Sequence, residues 1–289
     1  MGIDFGKIEA ITFDFDDTLV DENYWLRGRW KKTIDFVEEE LLIEGFGERF
    51  WHIFEQKGRK YKQHVDDALE LCDADVSLVG AIVENFLQQT VEEKPLPGVI
   101  DFLNGLGNRY VIGIITNGKE EIQVKRIEQS GISKFIDSSV CAFDVPKPNQ
   151  LPYVKCLNEL SAEPSESVYV SHDQNDFDGA KLTGMKTVHI NLDAGPSLSN
   201  VDLEVSSYEE LLRIIDSAED TKEGILIVGG GILQIAAVEK AKDLGYRVYV
   251  TDGNERCAVA EMADEFFNIS TKDIEGHIEL AIRLKNDGK

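Results

Sequence analysis

The residues best suited to chemistry are three aspartates that follow an apolar run near the start of the chain. Asp14, Asp16 and Asp17 come directly after segment 8–13, which has the pattern of a buried strand. Carboxylates crowded together repel one another, so their clustering indicates a compensating cation. A hard ion such as Mg²⁺ beside a phosphate would meet that need. The alternative is a strand followed by an aspartate-rich turn, because aspartate is common in turns for local reasons.

Three further groups of polar residues follow later strands, and the order of all four groups is more specific than any one of them. Thr116 and Asn117 end an apolar run, and Lys147 stands in a Pro-Lys-Pro segment. The fourth group is segment 171–181, which reads S-H-D-Q-N-D-F-D-G-A-K. Because ligands of open α/β sheets bind beyond the carboxyl ends of the strands, we expect these groups to converge there.

This ordered pattern resembles that of the haloacid dehalogenase superfamily, in the phosphatase branch with a helical cap inserted after the first motif. The resemblance covers residues from about 8 to 216. It implies a Mg²⁺-dependent phosphomonoesterase that acts on a small phosphorylated metabolite. Dehalogenases of this family lack an aspartate two residues after the nucleophile, so the presence of Asp16 favours phosphoryl chemistry over carbon–halogen chemistry.

The residue types suit the roles that the resemblance implies. A carboxylate held in line can attack phosphorus and divide hydrolysis into two easier steps. We expect Asp14 to be this nucleophile, forming an aspartyl-phosphate, and Asp16 to act first as general acid and then as general base. Thr116 and Asn117 would donate hydrogen bonds to the phosphoryl oxygens, and Lys147 would supply a fixed positive charge.

The fourth motif departs from the family pattern, in which Gly-Asp precedes a loop and Asn-Asp. In one register Asp173 takes the metal-binding position, and in the other register His172 takes it. A histidine suits Mg²⁺ poorly, so we favour Asp173, with Asp176 or Asp178 in support. His172 is then either a supporting residue of the site or an ordinary loop residue. The predicted ligands of Mg²⁺ are Asp14, Asp16 and Asp173.

The alternation of apolar strands with amphipathic helices predicts an α/β fold, with a doubly wound Rossmann-like parallel sheet and an inserted helical cap. We assign the core domain to residues 1–20 and 95–216 and the cap to 21–94. An acidic linker over 217–223 leads to a small C-terminal Rossmann-like α/β module over 224–289.

The C-terminal module begins with a glycine-rich turn between a strand and a helix. Gly229 and Gly231, with Asp252 at the next strand end, form a weak nucleotide-type loop, because Gln234 stands where a dinucleotide fingerprint has its third glycine. The segment is similar to the domain that precedes the ATP-grasp fold in carboxylate–amine ligases and in the large subunit of carbamoyl-phosphate synthase. This pre-ATP-grasp resemblance implies a small module that either binds a ligand or docks on a partner.

Composition narrows the classes of function. The 289 residues carry a formal net charge of −24, which disfavours nucleic acid and anionic membranes as partners. Four scattered cysteines, with no leader-like N-terminus, predict a cytoplasmic protein. Two alternatives to a phosphatase stay open. One is a catalytically weakened binding protein, and the other is a split-gene relative of ATP-grasp ligases without ligase activity.

Overall fold

The computed structural model describes residues 2–220 and 223–286, and its largest element is a six-stranded parallel sheet. The spatial order is β3-β2-β1-β4-β5-β6. Strand β1 is central, and the next strands along the chain lie on one side of it while the later ones lie on the other. This reversal creates a crevice at the carboxyl end of β1. The strands are β1 (Ala10–Phe13), β2 (Val111–Asn117), β3 (Ser138–Ala142), β4 (Ser167–Ser171), β5 (Lys186–Ile190) and β6 (Leu203–Val205).

Four helices follow β1 in the segment that the sequence analysis assigns to a cap; we call them the cap, and that role stays a prediction. Their apolar faces enclose a separate hydrophobic cluster centred on Phe50, against which Trp30 packs. Asp21 begins the first helix by accepting a hydrogen bond from the Tyr24 amide, so an aspartate marks the exit from the core. The helices are α1 (Glu22–Glu39), α2 (Phe46–Lys57), α3 (His64–Leu71) and α4 (Val79–Gln88).

Five helices cover the large sheet, and they belong to two separate hydrophobic clusters. One cluster includes residues of α5, α6 and α9, and the other includes residues of α7 and α8. The sheet is therefore doubly wound, which confirms the predicted fold class. The helices are α5 (Val99–Leu106), α6 (Glu120–Gln129), α7 (Gln150–Leu160), α8 (Gln174–Thr183) and α9 (Tyr208–Asp220).

The C-terminal segment forms a second, three-stranded parallel sheet in the order β7-β8-β9. Its strands are β7 (Gly224–Val228), β8 (Arg247–Asp252) and β9 (Glu265–Asn268), and its helices are α10 (Ile235–Asp243) and α11 (Ile274–Asn286). Val238, Val248 and Val250 lie in its small core. The sheet agrees with the predicted α/β module.

Helix α9 continues to Asp220, into the segment predicted as a linker, because 216–220 contains neither glycine nor proline to end it. The sequence over 258–262 also predicts a helix, but the structure has a series of turns there, which accords with the marginal stability of so short a helix. No helix in the described part of the chain is long and apolar enough to cross a membrane.

Candidate active site

The first aspartate of the cluster lies one residue beyond the central strand. The Asp14 amide donates to the Val170 carbonyl at 3.0 Å, which ties this turn to β4. Its side chain is buried and each carboxylate oxygen has a different donor. Oδ1 accepts from Lys147 Nζ at 2.6 Å, and Oδ2 accepts from the Thr18 hydroxyl at 3.2 Å. The carboxylate is therefore held in one orientation at the edge of the sheet.

Lys147 is the central cation of the site. Its ammonium group also donates to Asp176 Oδ2 at 2.6 Å and to the Tyr169 hydroxyl at 2.9 Å. Burial lowers the pKa of Lys147, but the carboxylates of Asp14 and Asp176 outweigh that effect and raise it. The ammonium group consequently stays charged at any physiological pH.

The end of β2 carries the two residues predicted to bind the phosphate, Thr116 and Asn117. Asn117 Oδ1 accepts from the Lys147 amide at 2.8 Å and so fixes the backbone that carries the lysine. Thr116 is buried, and its hydroxyl oxygen accepts from Gln123 Nε2 at 2.7 Å. The Thr116 hydroxyl donates a long hydrogen bond of 3.5 Å to the Asn117 carbonyl, and a phosphoryl oxygen would have to replace that acceptor.

The second aspartate is part of a buried charge network between core and cap. Asp16 Oδ1 lies 2.7 Å from Arg126 Nη1, and Arg126 Nε donates to Glu93 at 2.5 Å. The Arg126 guanidinium also lies over the Trp25 ring of α1, 3.9 Å from its centroid. Gln123 Nε2 reaches Asp16 Oδ2 at 3.3 Å. The network links the turn after β1 to both α6 and the first cap helix.

The fourth motif places its two candidate ligands in different positions. Asp173 caps α8, because its carboxylate accepts from the Asn175 amide at 2.9 Å. His172 instead faces the nucleophile position, with Nδ1 3.6 Å from Asp14 Oδ2 and 3.1 Å from Thr18 Oγ1. No described hydrogen bond or ion pair joins Asp173 to Asp14.

The remaining acids of this motif also differ in place. Asp176 is buried against Lys147 and accepts from the Ser171 hydroxyl at 3.1 Å. Asp178 is exposed and bonds Asn200 Nδ2 at 2.8 Å. Within residues 2–220 and 223–286, no three His, Cys, Asp or Glu side chains converge on a metal position. The side chains around Asp14 therefore fit Mg²⁺ only in part, and the predicted ligand set remains a prediction.

A cavity of about 870 Å³ opens beside the site, between the core and the cap. Its lining includes Asp17, His172 and His189 from the core, with Asn23 and Arg59 from the cap. Arg59 forms an ion pair with Asp17 that joins the two parts, and a second ion pair with Glu22 within the cap. A larger groove of about 1230 Å³ lies between α6 and α7 along β3, but none of the predicted catalytic side chains lines it. We therefore associate the smaller cavity with the site.

The glycine-rich turn of the C-terminal module is closed by its own carboxylate. Asp252 Oδ2 accepts from the Gly230 amide at 2.7 Å and Oδ1 accepts from the Asn254 amide at 2.8 Å. These hydrogen bonds lower the pKa of Asp252. A Cβ atom on Gly230 would lie 2.1 Å from Cys257 Sγ, so close packing explains this glycine without a ligand. The nucleotide-type role of Gly229 and Gly231 remains a prediction.

The fold and the ordered strand-end residues define a hydrolase of the haloacid dehalogenase type. The family model described as "Haloacid dehalogenase-like hydrolase" matches residues 11–190, which is more than half of the chain. The chain therefore belongs to the haloacid dehalogenase-like hydrolase family. The match ends before the C-terminal module, whose resemblance to pre-ATP-grasp domains has no support from it.

Three similar proteins illustrate the range of the family. Pyrophosphatase PpaX of Bacillus velezensis is 27% identical over 192 residues, covering 64% of this chain and 83% of that protein. A glyceraldehyde 3-phosphate phosphatase of Pyrococcus furiosus is 25% identical over 214 residues, covering 71% and 88%. The Bacillus subtilis protein YfnB, solved bound to magnesium, has a TM-score of 0.55 at 19% identity and covers 72% and 99%. The last likeness concerns the fold alone.

Several residues of the site were not predicted from the sequence. Thr18, Gln123 and Arg126 contact the two leading aspartates, and Glu93 anchors Arg126. The Asp-x-x-x-Thr spacing from Asp14 offered a signal for Thr18, because both residues lie in the same tight turn. The other three belong to no local motif.

Proposed function

We propose that this chain is a phosphatase that hydrolyses a small phosphorylated metabolite through a phosphorylated Asp14. The contact that supports this proposal most strongly is the 2.6 Å ion pair between Asp14 and Lys147 at the carboxyl end of the central strand. It presents an oriented anionic oxygen next to a permanent positive charge. Two of the similar proteins are named a pyrophosphatase and a glyceraldehyde 3-phosphate phosphatase, and both names agree with this chemistry.

In the first step, an Asp14 oxygen attacks phosphorus while the bond from phosphorus to the ester oxygen breaks. The departing oxygen takes a proton from Asp16. In the second step Asp16 removes a proton from water, which attacks phosphorus, releases inorganic phosphate and restores Asp14. Lys147 and the Thr116 hydroxyl would stabilise the charge on the phosphoryl oxygens.

The ion pair between Asp16 and Arg126 sets a condition on this scheme. In this structure Asp16 Oδ1 contacts Arg126 Nη1 at 2.7 Å, whereas the first step needs Asp16 beside the departing oxygen. The Asp16 side chain must therefore turn away from Arg126 when substrate binds. The 22% exposure of its side chain allows such a movement towards the crevice.

Mg²⁺ is the cofactor that the family resemblance implies, and it would neutralise phosphate charge when bound. The expected ligand set is incomplete at Asp14, because His172 lies beside it and the Asp173 carboxylate does not. The two steps of hydrolysis therefore use only the chain's own side chains.

Hydrolysis of p-nitrophenyl phosphate by the full chain, with and without divalent ions, tests the proposal. Asp14→Asn should abolish turnover, because an amide cannot attack phosphorus. Asp101→Asn, an exposed change on α5, serves as the matched control and should keep full activity. Turnover that survives Asp14→Asn would refute the assigned nucleophile.

The alternative of a catalytically weakened binding protein rests on the altered fourth motif, where His172 lies beside Asp14. A broad panel of phosphate esters separates the two functions. Absence of turnover on every ester, together with binding of phosphate that shifts the unfolding temperature, would favour the binding protein.

A further inference from the structure

One edge of the three-stranded sheet in the C-terminal module is an open strand. In the described part of the chain, β7 pairs only with β8, so the other side of β7 has no strand beside it. The Gly229 amide donates to the Thr251 carbonyl of β8 at 2.7 Å, which places the odd-numbered residues of this segment in the hydrogen bonds with β8. Backbone groups alternate in direction along a strand. The residues whose N–H and C=O groups face the open edge are therefore Gly224, Leu226 and Val228.

The sequence of this edge lacks the residues that usually keep edge strands apart. Segment 224–230 reads G-I-L-I-V-G-G, with no charged residue and no proline. The edge strands β6 and β9, in contrast, carry Glu204 and Glu265. Val228 is about half exposed on the open strand. An exposed apolar edge of this kind is a template for pairing with a further strand.

An apolar stripe on α11 lies on the same flank of the module as β7. Helix α11 packs on the sheet face that carries Leu226. Arg283 of α11 lies over the Phe267 ring of β9, which identifies the flank of the helix next to β9. Ile274 is about two and a half helical turns before Arg283, so it lies on the opposite flank, next to β7. The stripe consists of three isoleucines spaced four residues apart, each more than half exposed: Ile274, Ile278 and Ile282.

We propose that two copies of this chain associate through this surface, with their β7 strands paired antiparallel about a two-fold axis at Leu226. The pairing joins the two small sheets into one continuous sheet. Each Leu226 exchanges both backbone hydrogen bonds with its copy, and each Gly224 does so with Val228 of the other chain. All the backbone groups that face the open edge of β7 then have partners.

A second copy matches this surface in its backbone, its apolar side chains and its charge. An isologous interface places the same surface on both sides, so an apolar strand beside an apolar helix stripe meets its equivalent. The two-fold axis reverses α11, so the end of one helix that carries Glu275 lies towards the end of its copy that carries Lys285. The net charge of −24 opposes this contact little, because acidic side chains only slightly outnumber basic ones in segment 224–289.

Analytical ultracentrifugation of the full chain over a range of concentrations tests the proposal. We expect a dimer. Val228→Lys and Ile278→Lys should each raise its dissociation constant about a hundredfold or more, because every substitution occurs twice in an isologous interface. Leu244→Lys is the matched control, since it changes an exposed leucine at the end of α10, on the other face of the sheet, and should leave the dissociation constant unchanged.

Amide hydrogen exchange shows whether β7 itself forms the contact. The Leu226 and Val228 amides should exchange at least about tenfold more slowly at concentrations that favour the dimer than in monomeric Ile278→Lys. Circular dichroism spectra of each variant establish that it is folded. The proposal would be overturned by a chain that stays monomeric, by a dimer that either lysine substitution leaves intact, or by a dimer in which the Leu226 amide exchanges as fast as in the monomer.

Discussion

The buried ion pair between Arg126 and Glu93 gives the sharpest prediction about stability. The Glu93 side chain has no exposed surface, and that of Arg126 is 5% exposed. Arg126→Met fills a similar volume but leaves the glutamate without its partner. Breaking a buried pair in this way costs about 3–5 kcal/mol of the free energy of unfolding. The lost stacking on Trp25 adds about 1 kcal/mol.

A second substitution distinguishes the effect of the unpaired charge from the effect of lost packing. In Arg126→Met/Glu93→Gln the buried charge is absent, so we expect the double variant to recover more than about 2 kcal/mol of the loss. Arg109→Met removes the exposed ion pair with Asp216 and serves as the control, with an expected change below about 1 kcal/mol.

Urea denaturation of the three variants and the parent protein, followed by circular dichroism, measures these differences. A loss of less than about 1 kcal/mol in Arg126→Met would contradict this assignment, since leaving a fully buried carboxylate unpaired destabilises a protein by more than that. A double variant no more stable than the single variant would contradict it as well.

Three other predictions concern the site and its support. Lys147→Met should lower the rate of phosphate ester hydrolysis about a hundredfold or more, because a preorganised charge beside Asp14 is lost. Steady-state kinetics should show no such loss for Lys155→Met, which changes an exposed lysine. Burial and nearby carboxylates raise the pKa of Glu22 to about 7 from 4.5, so the protein should lose stability, at most on the order of 3 kcal/mol, as the pH rises through this interval. Glu22→Gln should flatten that loss in urea denaturation at several pH values, and an unchanged slope would refute the assignment. Gly179→Ala should destabilise by about 1–3 kcal/mol, because its Cβ would lie 2.5 Å from a backbone oxygen, whereas Gly80→Ala in α4 meets nothing and should be neutral or stabilising; thermal unfolding compares the two.

The parallel sheet could be predicted because its strands are short apolar runs separated by amphipathic helices. The same reasoning predicted that Asp14 and Lys147, 133 positions apart, would meet at one edge, and the structure places them in contact. Their catalytic roles remain predictions. Strand β6 gave too weak a signal, since it has only three residues with one clearly buried side chain.

The charge network around the second aspartate could not be predicted. Glu93 lies in the segment that returns from the cap and Arg126 lies on α6, so their contact depends on how the cap rests on the core. The orientation of the fourth motif was equally open in the sequence. The capping of α8 decides it, because the Asp173 carboxylate binds the first turn of that helix and His172 lies beside the crevice. The local sequence is compatible with either His172 or Asp173 beside Asp14. The capping of α8 by Asp173 decides between them.

Chemical trapping of the phosphorylated enzyme tests the central claim most directly. The protein is mixed with a phosphate ester, quenched during turnover and reduced with borohydride, which converts an aspartyl-phosphate to homoserine. Mass spectrometry of the peptides should find the reduced residue at position 14 and nowhere else. Efficient turnover with an unmodified Asp14, or reduction at another carboxylate, would contradict the account.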